Sequence, residues 1–328
     1  MLAIRMRERT IPLMTADEKY APVARNAVLL IDKPEGMTSF EAVEAVRRAV
    51  GADRAGHAGT IDRFASGLLI VCTGKATKLS RLFLEQDKCY AGTMRLGVTT
   101  DTDEPEGTIL DVRPVATITI EDIREKARGL TGSIFQVPPV YSALKVKGRR
   151  ASDRARDGEE VALPARRVTV YDFTADHFDR ENGRFAFTVR CSKGTYVRAL
   201  ARDLGAMLGT GAYLETLRRT AIGSFRVEDA LPPSDIPAAL AAGGAREPRF
   251  LLRPAEALNT FGRIVVDDSA MSRIIRGGSI SEKGTLRVER GEGERYIIVD
   301  KNENLIAIAD VDLRKWHVKY LNVFSTPI

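Results

Sequence analysis

One carboxylate in the sequence lies in a setting that suits catalysis. Asp62 belongs to the stretch GHAGTIDRFASGLL, residues 56–69, which contains three glycines, has no helical period and ends in an apolar run. A loop of this kind, leading into a buried strand, can orient a carboxylate and shield it partly from water. The same residue could equally cap a turn or form an ion pair with Arg63, and the local sequence does not decide between these roles.

The other side chains that could do chemistry are scattered. The glycines near Asp62 match neither a P-loop nor a dinucleotide fingerprint. Unpaired cysteine spacing suits a reducing compartment, and neither the cysteines nor the histidines have the spacing of a metal or redox motif. These residues are Cys72, Cys89, Cys191, His57, His177 and His317. The sequence therefore predicts no metal site.

Predicted strands and helices surround the Asp62 loop. Residues 28–31 form an apolar run that indicates a buried strand, and Thr38 with Glu41 fits a capping box for a helix that follows it. Residues 88–98 alternate with a period of two, which predicts a long half-buried strand. Apolar residues at helical spacing predict a helix over residues 195–208.

The chain is long enough for about two domains. A Pro-, Ala- and Gly-rich segment at 231–247 predicts the boundary between them, and short strands alternate with turns after it. We therefore expect an N-terminal extension (1–25), a main domain (26–246) and a small β-rich domain (247–328). The basic segment 145–167 has little apolar period and is interpreted as a surface insertion or binding loop.

Composition narrows the class of protein. The chain has 50 Lys and Arg against 44 Asp and Glu, a formal charge of +6, and 44% hydrophobic residues. Such a composition is that of a folded globular protein, and its mild basicity tolerates a nucleic-acid partner without proving one. Charged residues interrupt the N-terminus and there is no long apolar run, so we expect neither a secretory signal nor a membrane span, and a cytoplasmic location.

Residues 56–69 resemble the catalytic motif of the TruB family of tRNA pseudouridine synthases, G-H-x-G-T-L-D-P-x-A-x-G, whose aspartate aligns with Asp62. Five more segments resemble family motifs in the same order, and matches of this length are specific. They are residues 26–43, 88–102, 136–148, 191–205 and 217–230. The resemblance implies an α+β fold: a catalytic domain with a mixed, mostly antiparallel sheet flanked by helices, followed by a small β-rich PUA-like domain.

The resemblance also implies catalytic roles. Asp62 would be the nucleophile, and Arg198 would pair with it and keep the carboxylate ionised. Tyr90 would stack on the target base and handle a proton. Without the resemblance, Arg198 reads as a helix-surface residue and Tyr90 as a strand residue packed at an edge. Isomerising a uridine consumes no water or redox equivalent, so no cofactor is expected.

The implied substrate is uridine 55 in the T-loop of tRNA, which must leave its base stack to react. His57 would insert into the T-arm stack, while Tyr196 and Leu217 would line the pocket, although core packing explains these two nearly as well. Phosphate contacts would come from a basic set that could also be a solvated surface. This set is Lys33, Lys145, Lys147, Arg149 and Arg150.

The resemblance is weaker in the last domain, which would grip the acceptor side of the tRNA. Thirteen basic and twelve acidic residues lie from position 247 onward, so about +5 of the net charge belongs to the larger region. Charge therefore favours the larger region as the main RNA-holding surface. We expect the protein to act as a monomer.

Several positions depart from the family pattern. Ile61 replaces a usual Leu, and Arg63 replaces a usual Pro, which could loosen the loop or add a phosphate contact. Ser152 and Asp153 replace Tyr and Glu in the basic segment, which puts substrate contacts there in doubt. Glu104 stands where the family tends to have Asp.

Two other functions compete with the isomerase. The chain could be an RNA-binding protein whose site has lost activity through these departures. It could also be a carboxylate-dependent glycoside or nucleoside hydrolase, which needs a second placed acid or a water activator; the motif region suggests no such acid.

Overall fold

Two β-sheets dominate the computed structural model, which describes residues 21–142, 144–146, 148–242 and 248–328. The strands are β1 (Val28–Lys33), β2 (Ala55–His57), β3 (Ser66–Thr73), β4 (Lys88–Leu96), β5 (Val98–Thr100), β6 (Ile109–Val112), β7 (Gly132–Gln136), β8 (Lys145–Val146), β9 (Arg149–Arg150), β10 (Arg166–Asp179), β11 (Arg184–Cys191), β12 (Ala212–Ile222), β13 (Phe225–Arg226), β14 (Leu251–Leu252), β15 (Gly262–Val266), β16 (Thr285–Glu289), β17 (Arg295–Val299), β18 (Leu305–Asp312) and β19 (His317–Val323).

Helices are fewer and mostly short. The α-helices are α1 (Ala21–Ala24), α2 (Ser39–Ala49), α3 (Ser80–Leu84), α4 (Ile120–Gly129), α5 (Ala151–Arg156), α6 (Val197–Met207), α7 (Ile236–Ala241) and α8 (Asp268–Ile275). Short 3₁₀ helices cover Gly74–Leu79, Val227–Asp229, Pro233–Asp235 and Glu256–Leu258. Within the described ranges, none of the helices has the length and apolar character needed to cross a membrane.

The larger sheet has the strand order β14-β1-β3-β12-β4-β11-β10-β7, with β2 paired to β3 and β13 paired to β12. Its pairs are antiparallel except for β3 with β12. That parallel pair brings the end of the Asp62 loop, at Ser66 and Gly67, against Arg218 and Arg219. Strand β4 lies on the other side of β12 and places Tyr90 opposite Arg219.

The smaller sheet has the order β16-β15-β17-β18-β19. The predicted boundary at 246/247 falls in the segment 243–247, outside the described residues. After it, Leu251 and Leu252 still pair with β1 of the larger sheet before the chain enters the smaller sheet at Gly262. One hydrophobic core joins the two sheets, since Ile297 and Phe324 pack in the same cluster as β1 and β3.

The predicted fold class is confirmed: a mixed, mostly antiparallel sheet with helices is followed by a small β-rich unit. The capping box is present, because the Thr38 hydroxyl accepts from Glu41 N while the Glu41 carboxylate accepts from Thr38 N. The helix expected over 195–208 forms as α6.

Two predicted elements were wrong in detail. The strand expected over residues 88–98 is interrupted at Gly97, which has a φ of 81° and leaves no room for a Cβ beside Arg113 O. The basic segment 145–167 is more ordered than an insertion loop, since it contains the β8–β9 hairpin and helix α5. Its short elements carry too few apolar residues for a periodic pattern to reveal them.

Helix α6 packs closely against the start of β12 through Gly205. A Cβ on Gly205 would lie 2.2 Å from Ala212 N, so the helix needs glycine at this point. At Gly129 of α4, by contrast, the nearest atom to an added Cβ is the flexible end of Met207, at 3.1 Å.

We expect Gly205→Ala to lower the free energy of unfolding by about 1–3 kcal/mol, although alanine is the better helix former by about 1 kcal/mol. Gly129→Ala is the matched control and should be neutral or slightly stabilising. Urea or thermal unfolding of both variants checks this expectation. A Gly205→Ala protein as stable as the control would contradict the close packing of α6.

Candidate active site

The Asp62 loop connects β2 to β3 and is fastened to neighbouring backbone at several points. Ser39 Oγ, at the start of α2, accepts from Ile61 N and donates to Ile61 O, both at 3.0 Å. On the other side of Asp62, Arg63 Nε donates to Gly36 O and Gly36 N donates to Arg63 O, both at 2.9 Å. The residues on both sides of Asp62 are therefore held in place.

Asp62 pairs with Arg198. Arg198 Nη2 donates a hydrogen bond of 3.2 Å to Asp62 Oδ1, and Arg198 Nε lies 3.1 Å from Oδ2. Only 4% of the Arg198 side chain is exposed, whereas Asp62 is 35% exposed. A guanidinium that hydrogen-bonds to one carboxylate oxygen and lies at ion-pair distance from the other orients the carboxylate and leaves part of it open to a ligand.

Arg198 also bonds to two other segments. Its Nη1 donates to Thr102 O at 3.0 Å, and its Nη2 donates to Tyr141 O at 2.9 Å. Arg198 stands in the first turn of α6, where its side chain reaches the loop after β5 and the loop after β7. One buried guanidinium thus joins Asp62 to both of these loops.

A second carboxylate, Glu104, contacts the same guanidinium. Glu104 Oε2 lies 3.2 Å from Arg198 Nη1. Burial raises the pKa of Glu104 to about 7; Arg198 opposes this shift and the nearby charge of Asp62 adds to it. The sequence marked Glu104 only as a departure from the family pattern. The motif region suggested no second acid, and the structure brings one to Asp62 from the loop after β5.

Tyr90 lies half-buried on β4 beside the site. Burial raises its pKa to about 12, and hydrogen bonding to Arg219 together with the charge of Arg219 opposes the shift. Tyr90 is therefore protonated at neutral pH and can donate a proton or a hydrogen bond.

Arg219 is a buried residue of the site that sequence reasoning missed. Its neighbour Arg218 binds Asp32, while Arg219 faces the interior of the sheet. The sequence does carry one indication of this burial. Side chains alternate between the two faces of a strand, and Arg219 falls on the same face of β12 as the buried residues Leu217 and Ala221.

The other predicted pocket residues lie around this centre. Tyr196 is the N-cap residue of α6, and its backbone N and O both bond to the side chain of the buried Gln136. Leu217 is buried in the same apolar cluster as Ile61 and Phe64 of the Asp62 loop. His57, on β2, is half-buried, and burial lowers its pKa, with a smaller contribution from Arg219.

The basic residues predicted to bind phosphate differ in their positions. Lys33 is fully buried and its ammonium donates to Pro34 O and Met37 O, so it is not available for a phosphate contact and that prediction was wrong. Arg149 is exposed but already pairs with Asp157 and Glu159. Lys147 and the side chains of Lys145 and Arg150 lie outside the described residues.

No three His, Cys, Asp or Glu side chains in the described ranges lie together in a way that could hold a metal ion. What the site does offer is one oriented carboxylate, a cation that holds it, a neighbouring protonated phenol and a titratable second acid. Such a set suits nucleophilic attack combined with proton transfer.

Two family models match consecutive parts of the chain. The model described as "TruB family pseudouridylate synthase (N terminal domain)" matches residues 47–197, and "tRNA pseudouridylate synthase B C-terminal domain" matches residues 198–259. The chain belongs to the TruB family. Strands β15 to β19 come after both matched segments, whereas Asp62, Tyr90 and Arg198 lie within them.

Individual members of the TruB family are similar to this chain over most of its length. The chain is 44% identical over 253 residues to "tRNA pseudouridine synthase B" of Azoarcus sp. (strain BH72), covering 77% of this chain and 82% of that protein. It is 49% identical over 211 residues to the protein of the same name from Thermobifida fusca (strain YX), covering 62% and 72%. In fold it is similar to a chain of "Crystal Structure of a Cbf5-Nop10-Gar1 Complex", with a TM-score of 0.69, 24% identity and coverage of 92% and 86%.

The raised pKa of Glu104 predicts how stability depends on pH. The folded state holds this proton more tightly than the unfolded chain, in which glutamate titrates near 4.5. The stabilising contribution is complete below pH 4.5 and is lost as the pH rises to about 7. Glutamine cannot lose a proton, so Glu104→Gln should gain stability relative to the parent protein between pH 5 and 8, by up to about 3 kcal/mol.

Urea unfolding at pH 5 and pH 8 measures this difference. Glu106→Gln is the control, since it removes an exposed charge from the same turn. Its free energy of unfolding should differ from that of the parent protein by a similar amount at pH 5 and pH 8. Equal pH dependence in Glu104→Gln and the parent protein would show that the proton is not held in the folded state.

Proposed function

We propose that this chain isomerises uridine 55 in the T-loop of tRNA to pseudouridine, with Asp62 as the nucleophile. The observation that carries the proposal is the Asp62–Arg198 pair, in which a buried arginine orients a partly exposed carboxylate. Membership of the TruB family gives the reaction class, and the curated relatives are named as synthases acting on tRNA.

The chemistry fits the available groups. Isomerisation breaks the bond between C1′ and N1, forms a bond between C1′ and C5, moves one proton from C5 and leaves one on N1. No atom is gained or lost, so one nucleophile and groups that transfer protons suffice. Asp62 would attack C6 of the base or C1′ of the sugar, or start a glycal path at C2′. Tyr90, next to it, would stack on the ring and handle a proton.

The target uridine is stacked inside a folded tRNA, so it must leave the helix at a cost of a few kcal/mol. His57 would fill the gap in the T-arm, because a flat imidazole can stack on bases and hydrogen-bond a displaced one. Burial favours its neutral form, in which one ring nitrogen can accept a hydrogen bond.

RNA would be held mainly by the larger region, the part of the chain before position 247. Arg149 and the neighbouring basic residues would contact phosphates, with Arg149 exchanging its carboxylate partners for them. The β15–β19 unit would contact the acceptor side of the tRNA. We further propose that the protein acts as a monomer in the cytoplasm. Size-exclusion chromatography with light scattering would test the monomeric state.

One observation favours a second function. Glu104 supplies the second acid that a nucleoside hydrolase needs, and its raised pKa would let it donate a proton near neutral pH. Family membership argues for the isomerase, and the products separate the two, because a hydrolase releases free uracil.

Asp62→Asn tests the proposed function, because an amide keeps the shape of the side chain but is a far weaker nucleophile. We expect loss of pseudouridine formation by at least about a thousandfold, while tRNA binding stays within about twofold. Unmodified tRNA transcripts, analysed for pseudouridine by mass spectrometry and for binding by filter retention, provide the measurement.

The same assay distinguishes the alternatives. A transcript with cytidine at position 55 should yield no product if that position is the target. Binding without conversion by the parent protein would favour an RNA-binding protein, and free uracil would favour the hydrolase. Undiminished conversion by Asp62→Asn would remove Asp62 from the mechanism.

His57→Ala tests the insertion role. Loss of the imidazole should slow modification of folded tRNA by about tenfold or more, because the flipped state loses a stacking partner. An isolated T-arm loop, whose uridine is less firmly stacked, should be affected less. Single-turnover rates on the two RNAs give the comparison, and equal slowing would contradict the role.

A further inference from the structure

Arg219 is a buried cation that donates hydrogen bonds to three backbone carbonyl groups of the Asp62 loop. Its side chain is 1% exposed, and it donates to Leu68 O at 2.7 Å, to Gly59 O at 3.1 Å and to Thr60 O at 3.4 Å. Gly59 and Thr60 precede Asp62 in the chain and Leu68 follows it. One guanidinium thus connects the two ends of the loop that presents Asp62.

The backbone of Arg219 adds a second attachment. Arg219 pairs with Gly67 in the parallel contact between β12 and β3. Gly67 has a φ of 105°, and a Cβ there would lie 2.3 Å from Arg219 O. Backbone and side chain of the same residue therefore set the path of the loop from Gly59 to Leu68.

The charge of Arg219 has no carboxylate partner among the described residues, and the guanidinium bonds to carbonyl oxygens instead. Burying a charge without an ion pair is unfavourable, so an apolar residue would serve packing alone better. The unfavourable burial of the Arg219 charge is explained if the several N–H donors of the guanidinium are needed to hold this loop.

Arg219 also lies next to Tyr90. The two residues are opposite each other across β12 and β4, on the same face of the sheet. The Arg219 charge also reaches His57, and lowers its pKa. Arg219 therefore stands between the loop that carries Asp62 and the aromatic residue next to it.

We propose that Arg219 is a positioning residue, whose guanidinium holds the Gly59–Leu68 loop and Tyr90 so that Asp62 and the phenol face the same substrate. The proposal rests on the proposed function of Asp62. Arg219 does not contact the substrate; it acts through the carbonyl groups that it binds. A displacement of about 1 Å in such a loop lowers the rate of a positioned reaction by about a hundredfold.

Arg219→Lys separates geometry from charge. Lysine keeps the positive charge but has a single nitrogen, which cannot reproduce the fork that spans three carbonyls. Arg218→Lys is the matched control, because Arg218 is the adjacent residue on the same strand and its two-nitrogen ion pair is with Asp32. Its one side-chain contact to the loop is a 3.4 Å hydrogen bond to Ser66 Oγ at the far end, whereas Arg219 binds three loop carbonyl groups. Rates, KM for tRNA and thermal midpoints are measured for both variants.

We expect Arg219→Lys to lower kcat for pseudouridine formation by about ten- to a hundredfold, with KM within about twofold of the parent value. The pKa of His57, followed by NMR, should stay unchanged because the charge is kept. Arg218→Lys should keep its kcat. A kcat of Arg219→Lys within about twofold of the parent, or a loss confined to KM, would overturn the proposal.

A second variant decides the matter if Arg219→Lys does not fold. Gly59→Ala acts on the same contact from the loop side, since Gly59 has a φ of 107°, which L residues rarely adopt, and its carbonyl accepts from Arg219 Nη2. The added Cβ would make only ordinary van der Waals contact with Arg219 Nη1, at 3.8 Å, so the effect comes from the shifted carbonyl. Gly132→Ala, at a φ of 96° with open space around it, controls for backbone strain alone. Loss of kcat in Gly59→Ala only supports the positioning role, and equal kcat in both overturns it.

The parallel Asp62→Asn measurement separates the two proposals. An inactive Asp62→Asn together with a normal Arg219→Lys removes only the positioning role. An active Asp62→Asn removes the proposed function itself, whatever Arg219→Lys does.

Discussion

The site depends on one ion pair, formed by a buried arginine and a carboxylate that is still partly open to solvent. Arg198 would be costly to bury alone, and it is stabilised by Asp62, Glu104 and two backbone carbonyl groups. These partners come from three separate loops. The helix that carries Arg198 therefore needs all three loops in their observed positions, and the loops in turn depend on it.

The loop that carries Asp62 compensates for an unusual residue. A proline after the catalytic position would stiffen the backbone by fixing φ. Arg63 occupies that position here and is held by its side chain, which bonds to Gly36 O while its own carbonyl accepts from Gly36 N. The loop is thus fastened by hydrogen bonds, so of the two alternatives that the sequence left open for Arg63, a looser loop or an added phosphate contact, this geometry does not support the first.

Glu104 gives the site a second titratable group. Its longer side chain reaches the same guanidinium as Asp62, and burial brings its pKa to about 7. Glu104 is therefore a carboxyl group that can change its charge near neutral pH beside the guanidinium that also holds Asp62.

Local patterns in the sequence were sufficient for helices α2 and α6 and for Asp62 as a candidate, but not for the role of Asp62. The capping box of α2, the period of α6 and the motif around Asp62 each depend on neighbours a few residues away, so the chain alone predicts them. Resemblance to a family added Tyr90 and Arg198, for which the local sequence alone indicates a strand residue packed at an edge and a helix-surface residue.

The tertiary structure alone decided which charged residues are buried. Lys33 and Arg219 look like ordinary surface cations in sequence, yet both are buried against backbone carbonyl groups. Lys33 donates to the nearby Pro34 O and Met37 O and, at 3.5 Å, to Arg63 O, while Arg219 reaches Gly59 O, 160 residues away along the chain. Glu104 acquires its role only when the loop after β5 meets α6. The alternation along β12 indicates the face on which Arg219 lies, but the groups that it meets there are set by contacts between distant segments.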